Sequence, residues 1–279
     1  MESVSTINLH LCETPCIVSH INKSMPKTTK KETCVLSDSL TVKAKKTRQL
    51  LSPVYNSENK YEIGIDEAGR GPLFGRLYVA ATILPKDDSF RHAEIRDSKK
   101  FTSKKKITEL AEYIKSHSIA WSIQYIDADE IDRINIRQAV LKAMHQCIRD
   151  IIDKIKSKSG ENTVHLSDFM LLVDGNDFTP YTVYDEATES MQCVRHETIE
   201  GGDNLYTPIA AASILAKVER DEYIAKLCEE YPDLISRYHL DSNMGYGTAK
   251  HLDGIVEHGI TQFHRRSYGR CKEAEFCPL

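Results

Sequence analysis

The sequence contains no run approaching 18 apolar residues, and polar residues stand near its N-terminus where a secretory signal would place its apolar segment. These absences exclude a membrane-spanning helix and argue against secretion. A strong charge of one sign is also missing, because 41 acidic and 37 basic residues give a formal net charge of -4. This excludes a protein that binds nucleic acid through its overall charge. We expect a soluble, intracellular protein, cytoplasmic or nuclear.

Metal-binding cysteine pairs are absent too. The eight cysteines include no CxxC pair, and the chain has no HExxH sequence, so neither a structural zinc site nor a zincin is favoured. Reduced thiols in an intracellular protein are the simpler interpretation. With 279 residues, one large domain with an appendage is the simplest organisation.

The first 55 residues lack sustained helical or strand periodicity. Between Lys23 and Arg48 they carry eight basic and two acidic residues. This composition predicts a basic, disordered N-terminal extension over residues 1–55 and a folded domain over residues 56–279. The lysine clusters are either a solvated tail, a nuclear address or a contact with a nucleic acid backbone.

From Tyr61 onward the pattern predicts strands first and helices later. The predicted strands are Tyr61–Ile65, Leu77–Leu84, Ile119–Ile126, Phe169–Val173 and Gln192–Ile199. The predicted helices are Ser103–Ser116, Ile136–Ser157, Pro208–Glu230 and Thr248–Glu257, with Thr207 as N-cap and Pro208 at the first helical position of the third. The pattern favours an α/β fold with a mixed β-sheet flanked by helices.

Carboxylates follow two of the predicted strands. Asp66 and Glu67 end the first strand, and Asp174 ends the apolar run FMLLV. If these strands are neighbours, Asp66 and Asp174 share one crevice, and their repulsion is relieved by a divalent cation, Mg²⁺ or Mn²⁺ rather than zinc. Asp203 in the turn GGD is a third candidate. The alternative is that each is an ordinary turn or capping residue.

The segment from Tyr61 to Lys272 resembles type 2 ribonuclease H, the ribonuclease HII group. The resemblance lies in seven strings in the family's order: GIDEAGRGPLFG, DSKKFT, VDGN, GGD, IAAASILAKVERD, GYGTAKH and HRRSY. It implies a ribonuclease H-like mixed sheet with a helical C-terminal segment, and makes residues 56–279 the catalytic domain.

The resemblance also implies a function. Asp66, Glu67, Asp174 and Asp203 match the family's catalytic, metal-binding carboxylates, which hold two Mg²⁺ or Mn²⁺ ions. The implied activity is hydrolysis of the phosphodiester on the 5′ side of a ribonucleotide, leaving 5′-phosphate and 3′-hydroxyl ends. The implied substrates are RNA–DNA hybrids and single ribonucleotides embedded in duplex DNA.

Substrate contacts are implied in the same way. Gly69, Arg70 and Gly71 resemble the family's reader of the ribose 2′-hydroxyl, and Tyr246 resembles the tyrosine that stacks on the following sugar, with core packing as its alternative. Two basic groups are expected to contact phosphates unless they are only solvated faces. They are Ser98, Lys99 and Lys100, followed by Lys104–Lys106, and His264, Arg265 and Arg266.

Further expectations concern packing, partners and departures from the family. Ala210–Ser213 are small enough to pack closely on the sheet, and Asp221 is expected to pair with Lys217 rather than bind metal. The sequence departs from the family at Arg76, where proline is common, at Gly201, where a basic residue often precedes the glycine, and in a longer stretch between Asp174 and Asp203. The C-terminus EAEFCPL lacks a sliding-clamp peptide, and we expect a monomer.

The sequence is also compatible with two other functions. One is another ribonuclease H-like metal nuclease of the resolvase or transposase type, which would not need the Gly69–Arg70–Gly71 turn. The other is a non-catalytic protein that binds RNA–DNA hybrids, although the presence of all four carboxylates argues against it.

Overall fold

The computed structural model describes residues 50–159, 164–185 and 189–279. Its strands are β1 (Tyr61–Ala68), β2 (Leu77–Ile83), β3 (Ala120–Ile126), β4 (Phe169–Asp174), β5 (Thr182–Asp185), β6 (Ser190–Cys193) and β7 (Arg195–Ile199). Its helices are α1 (Lys104–His117), α2 (Ala128–Ile134), α3 (Ile136–Ser159), α4 (Thr207–Glu230), α5 (Asp233–Tyr238), α6 (Leu240–Asn243) and α7 (Ala249–His258). Within these ranges, no helix combines the length and the apolar character needed to span a membrane.

A mixed sheet in the order β3-β2-β1-β4-β7 forms the centre of the domain. β2 runs antiparallel to both β1 and β3, whereas β1, β4 and β7 are parallel. Every residue of β2 is buried because helices cover both faces of the sheet, which explains why its sequence is apolar except at Thr82. The predicted mixed sheet flanked by helices is confirmed.

The two faces carry different helices. Helix α3 packs on one face, where Met144 and Ile148 join the core of Ile63 and Val79. Helices α1 and α4 cover the other face, and Ala210–Ala212 are completely buried there, as predicted. The approach is close: a Cβ at Gly64 of β1 would lie 2.2 Å from the backbone carbon of Pro208. Small residues on both elements therefore set how near α4 comes to the strand that carries Asp66.

Two local predictions were wrong. The segment Gln192–Ile199 is not one strand, because the chain changes sheets at the buried residue Val194, whose N–H donates to the carbonyl of Tyr181. β6 pairs with β5 in a two-stranded sheet, while β7 pairs with β4. Thr207 is not an N-cap but the first residue of α4, and its hydroxyl lies 2.9 Å from Nδ1 of His92.

The C-terminal helices hold the loop that follows β1. Phe74 in this loop packs with Tyr238 of α5 and Ile255 of α7. The loop also receives backbone bonds, since the N–H of Arg265 donates to the carbonyl of Leu73 at 2.8 Å. The predicted helical C-terminal segment is confirmed, and it fixes the residues directly after Asp66 and Glu67.

The domain begins before the predicted boundary at residue 55. The N–H of Ser52 donates to the carbonyl of Leu205, and the carbonyl of Ser52 accepts from the N–H of Thr207. The N–H of Tyr55 donates to the buried carboxylate of Glu62 at 2.9 Å. Residues 52–55 are therefore bonded to the folded domain, and the predicted disorder of residues 1–49 lies outside the described residues.

Candidate active site

A groove of about 460 Å³ opens at the carboxyl ends of β1 and β4. Its walls come from the end of β1 and the turn behind it, from Ser98 and Lys99, from one face of α4, and from the turn that contains Tyr246. Together with Asp174 at the end of β4, five segments distant in sequence thus meet at one edge of the sheet. This is the edge at which an open α/β sheet commonly places its ligand site.

Asp66 and Asp174 lie side by side because their strands are parallel and in register. Ile65 pairs with Val173, so the next residue of each strand is an acid. Asp66 is only 6% exposed, and burial raises its pKa well above the ordinary value, with the charges of Glu67 and Asp174 raising it further. The N–H of Glu67 donates to Asp66 Oδ1 at 2.7 Å, and this hydrogen bond lowers the pKa of Asp66. The site thus concentrates negative charge in a poorly solvated place.

Asp203 joins this group from the short 3-10 turn Gly202–Asn204 that precedes α4. Asp203 is buried, and its charge helps raise the pKa of Asp174, for which burial is the larger cause. A Cβ at Gly202 would lie 2.6 Å from Cδ1 of Ile209 and 3.3 Å from Oδ1 of Asp174. The glycine therefore lets the turn come close enough to bring Asp203 beside Asp174, despite the longer sequence between them.

Cations at the rim balance part of this charge. The Nζ atom of Lys99 lies 3.8 Å from Asp203 Oδ2, and Nη1 of Arg70 lies 3.4 Å from Glu67 Oε1. Burial raises the pKa of the Glu67 carboxyl, and the charge of Arg70 lowers it. The side chain of Lys99 is 82% exposed, which leaves it free to contact a phosphate. Lys100 bonds to the side chain of Asn204, next to Asp203.

The donor set suits a hard divalent cation. All of its atoms are carboxylate oxygens, and Oδ1 of Asp174 is buried without a hydrogen-bond partner among the described residues. Among the same residues, no three histidine, cysteine or acidic side chains are already drawn together as a ligand group. The carboxylates instead engage Lys99, Arg70 and backbone N–H groups. A divalent cation would nevertheless bind this unsatisfied oxygen and reduce the repulsion between the acids.

The turn after Glu67 forms the opposite wall. Gly69 has φ +94, and a Cβ there would lie 2.4 Å from Nε of Arg220, so only glycine fits. A Cβ at Gly71 would lie 3.8 Å from Cε1 of Tyr246. Tyr246 is 50% exposed and lines the groove, which excludes the core-packing alternative for its ring.

Comparison with known proteins identifies the family. The family model for Ribonuclease HII matches residues 63–271. The chain is 39% identical over 214 residues to Ribonuclease HII of Parabacteroides distasonis, covering 77% of this chain and 92% of that protein. The chain belongs to the ribonuclease HII family. It is therefore a ribonuclease H of type 2, a metal-dependent endoribonuclease, as the sequence predicted.

Solved structures agree on the fold. Ribonuclease H2 from Pyrococcus horikoshii matches with a TM-score of 0.58 at 20% identity, covering 76% of this chain and 96% of that one. Bst-RNase HIII in complex with Mn²⁺ matches with a TM-score of 0.52 at 15% identity, covering 75% and 71%. At these identities the likeness concerns the ribonuclease HII-type fold alone.

The basic run His264–Arg266 does not line the groove, contrary to the prediction. Arg265 is completely buried, and His264 is 2% exposed, so neither side chain can reach a phosphate. Arg266 is exposed, and its guanidinium lies 4.1 Å from the ring centre of Phe276. The prediction for Arg265 is wrong because its charge is satisfied by backbone carbonyls of the loop after β1.

Sequence reasoning missed part of the α4 face. Ser213 contributes a hydrogen bond that lowers the pKa of Asp66, and its hydroxyl lies 3.0 Å from that of the buried Ser98. Arg220 is 2% exposed, donates to the carbonyl of Met244 at 2.8 Å and lies 5.7 Å from the ring of Tyr246. Ser213, Lys217 and Arg220 are spaced as one helical face, which is the signal that would have grouped them. Lys217 pairs with Asp221 at 2.8 Å, as predicted.

Proposed function

We propose that this ribonuclease HII cleaves the phosphodiester on the 5′ side of ribonucleotides, in RNA–DNA hybrids and at single ribonucleotides embedded in duplex DNA. The products carry 5′-phosphate and 3′-hydroxyl ends. Asp66, Glu67, Asp174 and Asp203 are the proposed ligands of two Mg²⁺ or Mn²⁺ ions. The observation that carries this proposal is the buried, unpartnered Oδ1 of Asp174 beside the buried carboxylate of Asp66. The similar Bst-RNase HIII structure is a complex with Mn²⁺, which supports the choice of cation.

When bound, the two cations would stabilise negative charge on the scissile phosphate and supply a nucleophile at neutral pH. The residues of the chain hold the substrate in place. The exposed ammonium group of Lys99 lies beside the Asp203 carboxylate, and that of Lys100 bonds to Asn204, the residue after Asp203. Both can contact the nucleic acid backbone on either side of the cleaved bond. Exposed Arg266 is a more distant candidate for such a contact.

Selection of a ribonucleotide is assigned to the opposite wall. Backbone groups of Gly69, Arg70 and Gly71 would bond to the 2′-hydroxyl, since glycines let a backbone approach a sugar closely. The half-exposed ring of Tyr246, next to Gly71, would stack on the sugar that follows. Asp66 and Glu67 lie only a few residues before the turn Gly69–Gly71. The end of β1 therefore positions both the cleaved bond and the ribose whose 2′-hydroxyl the turn would contact.

Mapping of the cleavage position tests the proposal. A duplex with one embedded ribonucleotide is incubated with the full chain, with Mg²⁺ or with EDTA, beside an all-DNA duplex of the same sequence. We expect a single Mg²⁺-dependent cut on the 5′ side of the ribonucleotide and none in the all-DNA duplex. A cut at another position, or one that persists in EDTA, would contradict the proposed chemistry.

The two alternatives are less well supported. A resolvase or transposase type nuclease has no need of the turn at Gly69–Gly71, and the match to Ribonuclease HII spans residues 63–271. A protein that only binds hybrids has no need of buried acids such as Asp66 and Asp174, whose repulsion costs stability.

A further inference from the structure

Arg265 donates three hydrogen bonds to the loop after β1, two of them to the turn Gly69–Gly71 and one to Gly75. Its Nη2 donates to the carbonyl of Gly69 at 2.7 Å, its Nη1 to the carbonyl of Arg70 at 3.2 Å, and its Nε to the carbonyl of Gly75 at 2.9 Å. The side chain is completely buried and does not line the groove. Burial lowers the pKa of Arg265 to about 10, so the guanidinium remains charged at neutral pH. Its planar fork therefore spans the loop from behind.

The segment that carries Arg265 is itself fixed at its other side. Asp132 of α2 accepts the N–H groups of Arg266 at 2.7 Å and Ser267 at 2.9 Å. The hydroxyl of Tyr268 donates to the carbonyl of Arg70 at 3.1 Å. The carbonyls of Gly69 and Arg70 are thus held by donors from residues 265–268. The C-terminal segment acts on the turn through these carbonyls and not through the substrate.

Holding the carbonyls also orients the N–H groups of the turn. In a planar trans peptide the C=O and N–H bonds point in opposite directions. Because the carbonyls of Gly69 and Arg70 face the buried Arg265, the N–H groups of Arg70 and Gly71 face away from it, toward the groove that these residues line. Neither N–H has a hydrogen-bond acceptor among the described residues. Two free donors side by side suit a hydroxyl oxygen.

We propose that Arg265 is a positioning residue for ribonucleotide selection: by fixing the Gly69 and Arg70 carbonyls, it aims the N–H groups of Arg70 and Gly71 at the 2′-hydroxyl. This inference rests on the proposed function, because it needs the groove to hold a ribonucleotide. It assigns the discrimination between ribose and deoxyribose in part to a residue that never touches the substrate.

The test is a comparison of binding with and without the 2′-hydroxyl. The full chain carrying Asp174→Asn, which we expect to stop cleavage, is titrated in Mg²⁺ with a duplex containing one ribonucleotide and with the all-DNA duplex. The readout is the Kd for the all-DNA duplex divided by the Kd for the ribonucleotide duplex. This ratio is measured with Arg265, with Arg265→Lys and with Tyr268→Phe. Lysine keeps the charge but loses the planar fork, and phenylalanine removes one donor to the Arg70 carbonyl. Tyr238→Phe is the matched control, since it removes a tyrosine bond to the carbonyl of Gly259, away from the turn.

We expect Arg265→Lys to reduce the ratio by about threefold to tenfold, the value of one ordinary hydrogen bond, with binding of the all-DNA duplex unchanged. Tyr268→Phe should reduce the ratio less, and Tyr238→Phe not at all. An unchanged ratio in folded Arg265→Lys, or an equal fall in Tyr238→Phe, would overturn the proposal. If Arg265→Lys does not fold, Tyr268→Phe decides by the same criterion. If the chain with Arg265 does not itself distinguish the two duplexes, the proposed function fails instead.

Discussion

His251 and His264 share a hydrogen bond of 3.1 Å between their Nε2 atoms in the interior of the C-terminal segment. The N–H of Thr261 donates to Nδ1 of His264, so the proton of that ring must be on Nε2, which donates to His251. Nδ1 of His251 then donates to the carbonyl of Tyr246. This chain of bonds requires both rings to be neutral. It links the segment that carries Arg265 to the turn that carries Tyr246.

Acid should therefore weaken the fold through His264. Burial lowers the pKa of His264 to about 3, below the value near 6.5 of the unfolded chain, so between these two values only the unfolded state takes up the proton. The stability contribution of the neutral ring is complete above pH 6.5 and falls as the pH drops, by up to about 1.4 kcal/mol per pH unit for one group. The measurement is urea unfolding of the unmodified chain and His264→Gln at pH 7, 6 and 5.

The variant separates this titration from that of other groups. His264→Gln loses buried hydrogen bonds and should be less stable at pH 7 by about 1–3 kcal/mol. It has no imidazole at this position to protonate, so the gap to the unmodified chain should narrow toward pH 5. A gap that stays constant from pH 7 to pH 5 would mean that His264 is not buried as a neutral ring.

Removing one carboxylate should abolish turnover and leave the fold intact. Asp66→Asn and Asp174→Asn each remove a proposed metal ligand with little change in volume, and we expect cleavage to fall by at least about a thousandfold. In EDTA the Tm of Asp174→Asn should be equal or higher, because burial and the nearby charges oppose ionisation of these acids. Cleavage rates and thermal unfolding are measured together.

Asp168→Asn is the control for this pair. Asp168 lies at the opposite end of β4 and pairs with Lys60 at 3.1 Å, so its loss should leave cleavage near that of the unmodified chain. Retention of more than about a tenth of the rate by Asp174→Asn would show that the site is misassigned, since two-metal catalysis contributes several kcal/mol.

Truncation at two positions tests where the domain begins. Deletion of residues 1–49 removes no proposed ligand and should leave cleavage of short duplexes nearly unchanged at low salt. Deletion of residues 1–55 also removes Ser52 and the N–H that Tyr55 donates to the buried Glu62, and should lower the free energy of unfolding by about 1–3 kcal/mol. Urea unfolding of both truncations is the measurement. If the two truncated proteins are equally stable, residues 50–55 do not belong to the folded domain.

The sequence predicted those parts of the fold whose pattern is locally decisive. β2 and β4 are almost entirely apolar, which marks them as buried strands. Because β1 and β4 are parallel neighbours, Asp66 and Asp174 come to one sheet edge, and the acidic part of the site followed from these two strand ends. The change of sheet at Val194 was not predictable in this way, because no glycine or proline interrupts residues 192–199.

The sequence also failed to predict which charged side chains are buried. His264, Arg265 and Arg266 form a basic run that ordinarily indicates a solvated face. Arg265 is buried because carbonyls from residues 69, 70 and 75 converge on it, and those residues are distant in sequence. Local pattern contains no information about such acceptors. The same reason hid Arg220, whose acceptors lie in the turn before Tyr246 and in the loop after β1.

Tyr246→Ala should impair cleavage at a single embedded ribonucleotide more than cleavage of a long RNA–DNA hybrid. The half-exposed ring borders Gly71 and stands free to lie against a sugar. A long hybrid offers many registers that present a 2′-hydroxyl to the turn, so repeated binding offsets the loss of one contact, whereas a lone ribonucleotide has one productive register. Stacking on an aromatic ring contributes roughly 1–3 kcal/mol for a base, and for a sugar we take the lower end, about a tenfold loss in kcat/KM or somewhat less.

The decisive quantity is the ratio of kcat/KM on the two substrates, for the unmodified chain and for Tyr246→Ala. Tyr246→Phe is the matched control, because it keeps the ring and should keep the ratio. Arg220 lies 5.7 Å from this ring, so circular dichroism of Tyr246→Ala must first establish that the turn is still folded. If the ratio is the same with and without the ring, Tyr246 does not read the junction after the ribonucleotide, and its place in the groove wall is only structural.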